Sequence, residues 1–173
     1  AAAAKAAGAA FVMMTGLGLA DAERLAIAGR FGVDLVVDVA ADDPIKSLRR
    51  EAGELARVVV DVTAKAPAAF AQAIRLAAPG GTVVVAGTRG EPGAPGFDPD
   101  HLVYKELTVI GSLGVDYPAY QAAFDLLASG RFPFAELPRE VVGFDGLPEL
   151  LARLAGEASP ALPRPVHAVF TPM

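Results

Sequence analysis

The chain contains no cysteine, and its 173 residues include only two histidines, His101 and His167. The first absence removes disulfides, thiolate zinc sites, iron–sulfur clusters and a cysteine nucleophile together. The histidines are far apart in sequence, so no metal-ligand spacing can be read from them. Charge is sparse too. Charged residues make up 20% of the chain, with 15 cations against 20 anions and a net charge of -5. No basic stripe is present, which argues against nucleic acid or an anionic membrane as a partner. Glycine, proline or a charge interrupts every apolar run before it is long enough to span a bilayer. What remains is apolar: hydrophobic residues are 53% of the total and the mean hydropathy is +0.42. A chain of this length and composition can bury a core, and disorder is excluded.

The pattern along the chain alternates strands with helices. Residues 1–8 lack the charged-then-apolar order of a signal peptide and read as the last turns of an alanine-rich helix closed by Gly8. A chain rarely begins inside a helix, so a segment upstream of Ala1 is expected. The continuous apolar run 10–15 predicts a strand covered on both faces. A helix follows over 21–31, with Asp21 as N-cap and Gly32 as C-cap. Residues 34–39 read as the next strand, and Pro44 opens a polar helix ending near Gly53. A third strand covers 57–62. Pro67 then starts a helix whose Phe70, Ala73, Ile74 and Ala77 share one face, and Pro79-Gly80-Gly81 is expected to break it. Strands are predicted over 82–87 and 107–110, with a Pro/Gly loop over 88–100 between them. Helices carrying Tyr120, Phe124 and Leu127 and then Leu147 to Leu154 follow, and a last strand covers 166–170. Such alternation, with β-branched and non-alternating strands, predicts an α/β fold with a parallel sheet wrapped by helices.

Two segments carry a resemblance. Residues 57–63 followed by Ala77-Ala78-Pro79-Gly80-Gly81-Thr82-Val83-Val84-Val85-Ala86-Gly87 are similar to the second half of a dinucleotide-binding fold. Tyr104-Lys105-Glu106-Leu107-Thr108-Val109-Ile110-Gly111-Ser112 is similar to the sixth strand of medium-chain dehydrogenases, the zinc-dependent alcohol and polyol dehydrogenase family. The resemblance covers essentially the whole chain but starts inside the family's first Rossmann helix. It implies a Rossmann-type doubly wound parallel sheet that lacks, within this chain, the first strand and its glycine-rich loop. Residues 1–135 would be the truncated nicotinamide-dinucleotide-binding domain, and 136–173 a helix and strand returning toward the catalytic domain. The strands at 11–15, 35–39, 58–62, 82–86 and 108–110 are expected in one sheet. Without the preceding strand, a central gap would leave Val58, Val60 and Met13 on an open edge.

The same resemblance implies a set of cofactor contacts. Gly16 ends the second family strand, where NAD-preferring members place an acidic residue on the ribose hydroxyls. Arg24 matches a position over the adenosine end. Val62 and Thr63 line the adenine–ribose pocket, and Ala86, Gly87 and Thr88 reach the nicotinamide carboxamide. Gly111, Ser112 and Leu113 lie beside the same ring, and His167 aligns with a cation near the cofactor phosphates. Gly16-Leu17-Gly18 is tempting as a phosphate cradle, but it has no third glycine and reads better as a strand-to-helix turn. Asp38 and Asp61, inside strands, are read as ordering nearby backbone, since acid–base chemistry would need a partner.

No catalytic or metal residue transfers, because the family's zinc ligands lie upstream. Zinc is expected only there, and this chain alone is expected to be inactive. The resemblance implies NAD or NADP as cofactor, and weak discrimination tilted toward NADP by Arg24 is expected. Expected partners are that dinucleotide, a small alcohol or carbonyl substrate, and a second copy pairing through Leu107–Leu113 in a homodimer or tetramer. The expected location is cytoplasmic. A zinc-free quinone or enoyl reductase, and a Rossmann binding module that is not an oxidoreductase, stand as alternatives.

Overall fold

The computed structural model describes residues 1–64, 66–90, 93–155, 157 and 165–172. The chain forms two compact units, one of Ala1–Pro44 with Tyr117–Met173 and one of Ile45–Asp116. They partition the chain by contact, whereas the division at residue 135 follows the resembling family.

The discontinuous unit begins with helix α1 (Ala2–Ala6) and strand β1 (Met13–Gly16). Helix α2 (Ala22–Ile27) lies between 3-10 turns at Gly18–Asp21 and Ala28–Phe31, so the single helix predicted over 21–31 is segmented. Gly32 closes it in the left-handed conformation, φ +86°, which costs glycine least. Strand β2 (Leu35–Asp38) pairs in parallel with β1, Gly16 opposite Asp38. Asp34 ties these pieces together. Its carboxylate accepts the Val12 N–H at 2.7 Å and pairs with Lys5 at 2.7 Å, and these contacts hold its pKa below the ordinary value, the Lys5 hydrogen bond most strongly.

The continuous unit holds helix α3 (Pro44–Ala52) from its second residue onward, strand β3 (Ala56–Asp61), helix α4 (Pro67–Leu76), strand β4 (Ala77–Val85), helix α5 (Asp100–Tyr104) and strand β5 (Thr108–Gly111). The three strands form a parallel sheet in the order β3-β4-β5. Of the face predicted for this helix, Ala73 and Ile74 are buried with Val83 and Phe70 packs against them, whereas Ala77 is buried as the first residue of β4; Phe97, Leu102 and Leu107 close around them. Pro79-Gly80-Gly81 does not separate helix from strand. It lies inside β4, where the pairing shifts register between Ala56 and Val58, and Gly80 takes φ +70°. Glycine makes that irregularity accessible, which is why a breaker sequence sits within a strand.

The first unit resumes with helix α6 (Tyr117–Ala128), strand β6 (Arg139–Val142), helix α7 (Leu147–Ala155) and strand β7 (His167–Phe170). Strand β6 has no counterpart in the sequence reading; it pairs in parallel with β7, Arg139 opposite His167. The five strands expected in one sheet therefore lie in two, β1-β2 and β3-β4-β5, with β6-β7 as a third. Among the described residues no strand pairs with the second edge of β1 or of β3. Val58 and Val60, on one face of β3, are 60% and 58% exposed, while Met13 is half-buried. No helix of the described residues is long and apolar enough to cross a membrane.

Lys105 explains the segment that carries the resemblance. Its ammonium donates to the carbonyls of Ile74, Arg75 and Ala77 at 2.8–3.1 Å, satisfying the orphan end of α4. Its own carbonyl accepts the Gly80 N–H at 2.7 Å. Burial, then the charges of Arg49 and Arg75, lower its pKa from 10.5. Replacement by methionine keeps the stem and removes all three bonds. Lys105→Met should lower stability by about 1–2 kcal/mol, read as an earlier midpoint in urea; an unchanged midpoint contradicts this role.

Candidate functional site

The register of the three-stranded sheet puts Asp61, Val85 and Gly111 at one level. Three segments therefore leave the sheet together at its carboxyl end: Val62-Thr63, Ala86-Gly87-Thr88 and Ser112-Leu113. Ligands of open α/β sheets bind outside such ends. Backbone bonds interlock them. The Asp61 carbonyl accepts the N–H groups of Ala86 and Gly87 at 2.9 and 3.1 Å, and the Val85 carbonyl accepts that of Ser112 at 2.9 Å. Apolar side chains stand open beside them, with Val62 71% and Leu113 95% exposed.

The packing at Gly87 is close. A Cβ there would lie 2.2 Å from the Thr63 carbonyl oxygen and 2.8 Å from its nitrogen. Asp61 is buried just below. Its carboxylate accepts the Thr63 N–H at 3.0 Å and pairs with the guanidinium of Arg89, which also donates to the Gly87 carbonyl at 2.7 Å. The Arg89 guanidinium lies 5.5 Å from the ring centre of Phe70. Asp61 does order nearby backbone; Arg89 is the participant that the sequence reading missed. Only the apolar setting of Asp61 in Val58-Val59-Val60-Asp61-Val62 signals that a partner is required.

The other predicted contacts, Gly16, Arg24 and His167, belong to the discontinuous unit. Gly16 ends β1 as expected, and a Cβ there would meet Leu25 at 2.8 Å and Asp21 at 3.1 Å. Asp21 occupies the N-cap position of α2 but makes no capping bond; its carboxylate accepts the Leu17 N–H at 2.9 Å and pairs with Arg24 at 3.1 Å. Arg24 also donates to the Pro165 carbonyl at 3.0 Å. His167 opens β7 and is exposed. Asp38 accepts the N–H groups of Gly18 and Ala40 at 2.8 and 2.9 Å, and these bonds lower its pKa, Ala40 first. The Leu17 and Gly18 amides thus face carboxylates, so Gly16-Leu17-Gly18 is a turn and no phosphate cradle.

A cavity of about 520 Å³ in the same unit is lined by Met14, Ile27, Phe31, Leu127 and Phe134, with Arg24 at its wall. Its apolar walls do not match a diphosphate. Among the described residues no three His, Asp or Glu side chains form a metal-ligand group. With cysteine absent from the sequence, the described residues do not form a zinc site.

A family model described as zinc-binding dehydrogenase matches residues 1–129. The chain belongs to the zinc-binding dehydrogenase family. It is 65% identical, over 99% of its length and 47% of the relative's, to a protein of Mycobacterium tuberculosis named probable alcohol dehydrogenase. Among solved structures it is similar to 2R,3R-butanediol dehydrogenase from Bacillus subtilis, with a TM-score of 0.75 and 26% identity over 99% of this chain and 46% of that one. An Escherichia coli CFT073 protein described as a short chain alcohol dehydrogenase, complexed with NADH, shares the fold, with a TM-score of 0.67 and 20% identity over 88% of this chain and 42% of that one. The chain spans about half the length of the curated relatives it matches.

This membership agrees with the resemblance read from Lys105-Glu106-Leu107, and the parallel α/β fold agrees with its Rossmann reading. A zinc-binding dehydrogenase chain with this packing should not tolerate a side chain at Gly87, because the Cβ would strike the Thr63 backbone. Gly87→Ala should force β3 and β4 apart at their carboxyl ends and lower the melting temperature by several degrees, a cost of about 1–3 kcal/mol. Calorimetry checks it; a melting temperature unchanged within a degree contradicts the close approach.

Proposed function

We propose that this chain is the cofactor-binding half of a zinc-type alcohol or polyol dehydrogenase and that it holds NAD or NADP. The observation that carries the reading is the level carboxyl end of β3-β4-β5, where Val62, Thr63, Ala86, Gly87, Thr88, Gly111, Ser112 and Leu113 gather. Val62 offers an apolar surface and Thr63 a hydroxyl for the adenosine end. The Ala86–Thr88 and Gly111–Leu113 segments bear backbone N–H and C=O groups for a carboxamide, with Leu113 open to a ring face. When bound, the nicotinamide supplies the redox chemistry; the protein's part is to orient the ring and keep water from it. In this reading Arg24 and His167 serve the adenosine and phosphate end. Any zinc, and the alcohol or carbonyl substrate pocket, belong to the rest of the dehydrogenase.

Two further features support parts of the same reading. Strand β5 is an edge of its sheet with every residue exposed, so a second copy can pair along Leu107–Leu113 in a dimer or tetramer. The cytoplasmic location and the functional boundary at residue 135 follow from the family reading alone. The absent acidic side chain at Gly16 favours weak discrimination between cofactors. Pairing of Arg24 with Asp21 offsets the tilt toward NADP that a free guanidinium would give.

Fluorescence titration of the intact protein should therefore find binding of both NADH and NADPH, with Kd values within about tenfold, or ~1.4 kcal/mol. Binding of neither overturns the proposed function, and a hundredfold preference overturns the reading of Gly16. Light scattering on the same sample should give twice or four times the chain mass; a monomer excludes pairing through β5.

A further inference from the structure

A carboxylate and a guanidinium buried together at the mouth of a site have a role there or weaken the fold for nothing. Asp61 and Arg89 have side chains only 3% and 8% exposed, and they are separated by 27 intervening positions on two different strand ends. Each joins two segments. Asp61 holds the Thr63 N–H with one oxygen and Arg89 with the other. Arg89 holds Asp61 with one arm and the Gly87 carbonyl with the other, while Phe70 lies against the guanidinium. Phe70 is itself braced edge-on by Phe97, with ring centres 5.0 Å apart. The chain of contacts Thr63–Asp61–Arg89–Gly87 thus closes a loop across the carboxyl ends of β3 and β4. The Arg89 Nε is buried without a hydrogen-bond partner among the described residues, so the guanidinium is committed to these two arms. A guanidinium suits this task because its donors diverge in a fixed plane, which an ammonium does not provide.

We propose that Asp61 and Arg89 are positioning residues, a buried ion-pair latch that fixes the spacing of the Thr63 and Gly87 segments and thereby sets affinity for the dinucleotide. The proposal rests on the cofactor reading above for its second half; the latch itself rests on the geometry alone. Gly87 makes the spacing stringent, since its backbone already touches that of Thr63. Loss of the latch would leave the sheet intact below the level of Asp61 and let the two segments separate above it.

Removing one partner strands the other as a buried charge, so the test changes both or keeps the charge. In Asp61→Leu/Arg89→Met the pair becomes apolar at similar volume, a change that buried ion pairs commonly tolerate. Arg89→Lys keeps the charge beside Asp61 but loses the fork. Three readouts are taken on the intact protein: melting temperature, hydrogen exchange of the Gly87 amide, and NADH affinity by fluorescence. Gly87 is the reporter because its own acceptor, the Asp61 carbonyl, survives every substitution.

The double variant should melt within about 3 °C of the parent, exchange Gly87 at least tenfold faster, and bind NADH about tenfold more weakly. Arg89→Lys should fall between parent and double variant in the last two. Unchanged Gly87 exchange in a folded variant overturns the latch. Faster exchange with unchanged NADH affinity overturns the link to the cofactor. A parent that does not bind NADH overturns the proposed function and the affinity half with it, while exchange decides the latch. If the double variant does not fold, Arg89→Lys decides on the same readouts.

Discussion

A buried carboxylate is stable only where hydrogen bonds and an opposite charge replace the water it has lost. Asp61 meets that condition at the end of β3, and the surrounding structure follows from how it does so. Its backbone carbonyl takes two N–H groups from the segment that follows β4, and its side chain takes the next turn of its own segment and the guanidinium of Arg89. The ends of two neighbouring strands are thereby fixed at the place where an open parallel sheet receives a ligand. The hydrophobic layer beneath, with Ile74 and Val83 fully buried, supplies the rigidity that makes the fixed spacing meaningful.

Two glycine-containing segments of the chain, at Gly16 and at Gly87, differ in what the glycine does. At Gly16-Leu17-Gly18 the amides are turned toward Asp21 and Asp38, and a phosphate brought there would meet two carboxylates. At Gly87 the glycine serves strand-to-strand contact. Neither is the phosphate-binding loop that the family places after its first strand. The family assignment thus rests on the sheet, the Lys105 segment and the matched relatives, with no glycine fingerprint needed.

The parallel α/β class was legible because Val58-Val59-Val60 and Val83-Val84-Val85 are β-branched runs without alternation, the pattern of parallel strands, although one face of β3, with Val58 and Val60, is exposed. The face of α4 was legible from its spacing alone. Less could be read where a local signal has two uses: Pro79-Gly80-Gly81 spells a turn, yet the register shift with β3 absorbs it within β4. Strand β6 escaped because Arg139-Glu140-Val141-Val142 is short and half polar, and only pairing with β7 makes it a strand. At the site, the strand-end residues followed from the resemblance and the sheet order. Arg89 did not, since nothing local in a Pro/Gly loop tells an arginine that it will reach a buried aspartate on another strand.

The central claim is that the carboxyl ends of β3, β4 and β5 hold the dinucleotide. A crystal structure of the intact protein with NADH tests it most directly. The account predicts density for the cofactor against Val62-Thr63, Ala86-Gly87-Thr88 and Gly111-Ser112-Leu113, with the Asp61–Arg89 pair in place behind them. Density for the cofactor elsewhere, with those three segments facing solvent alone, would contradict it.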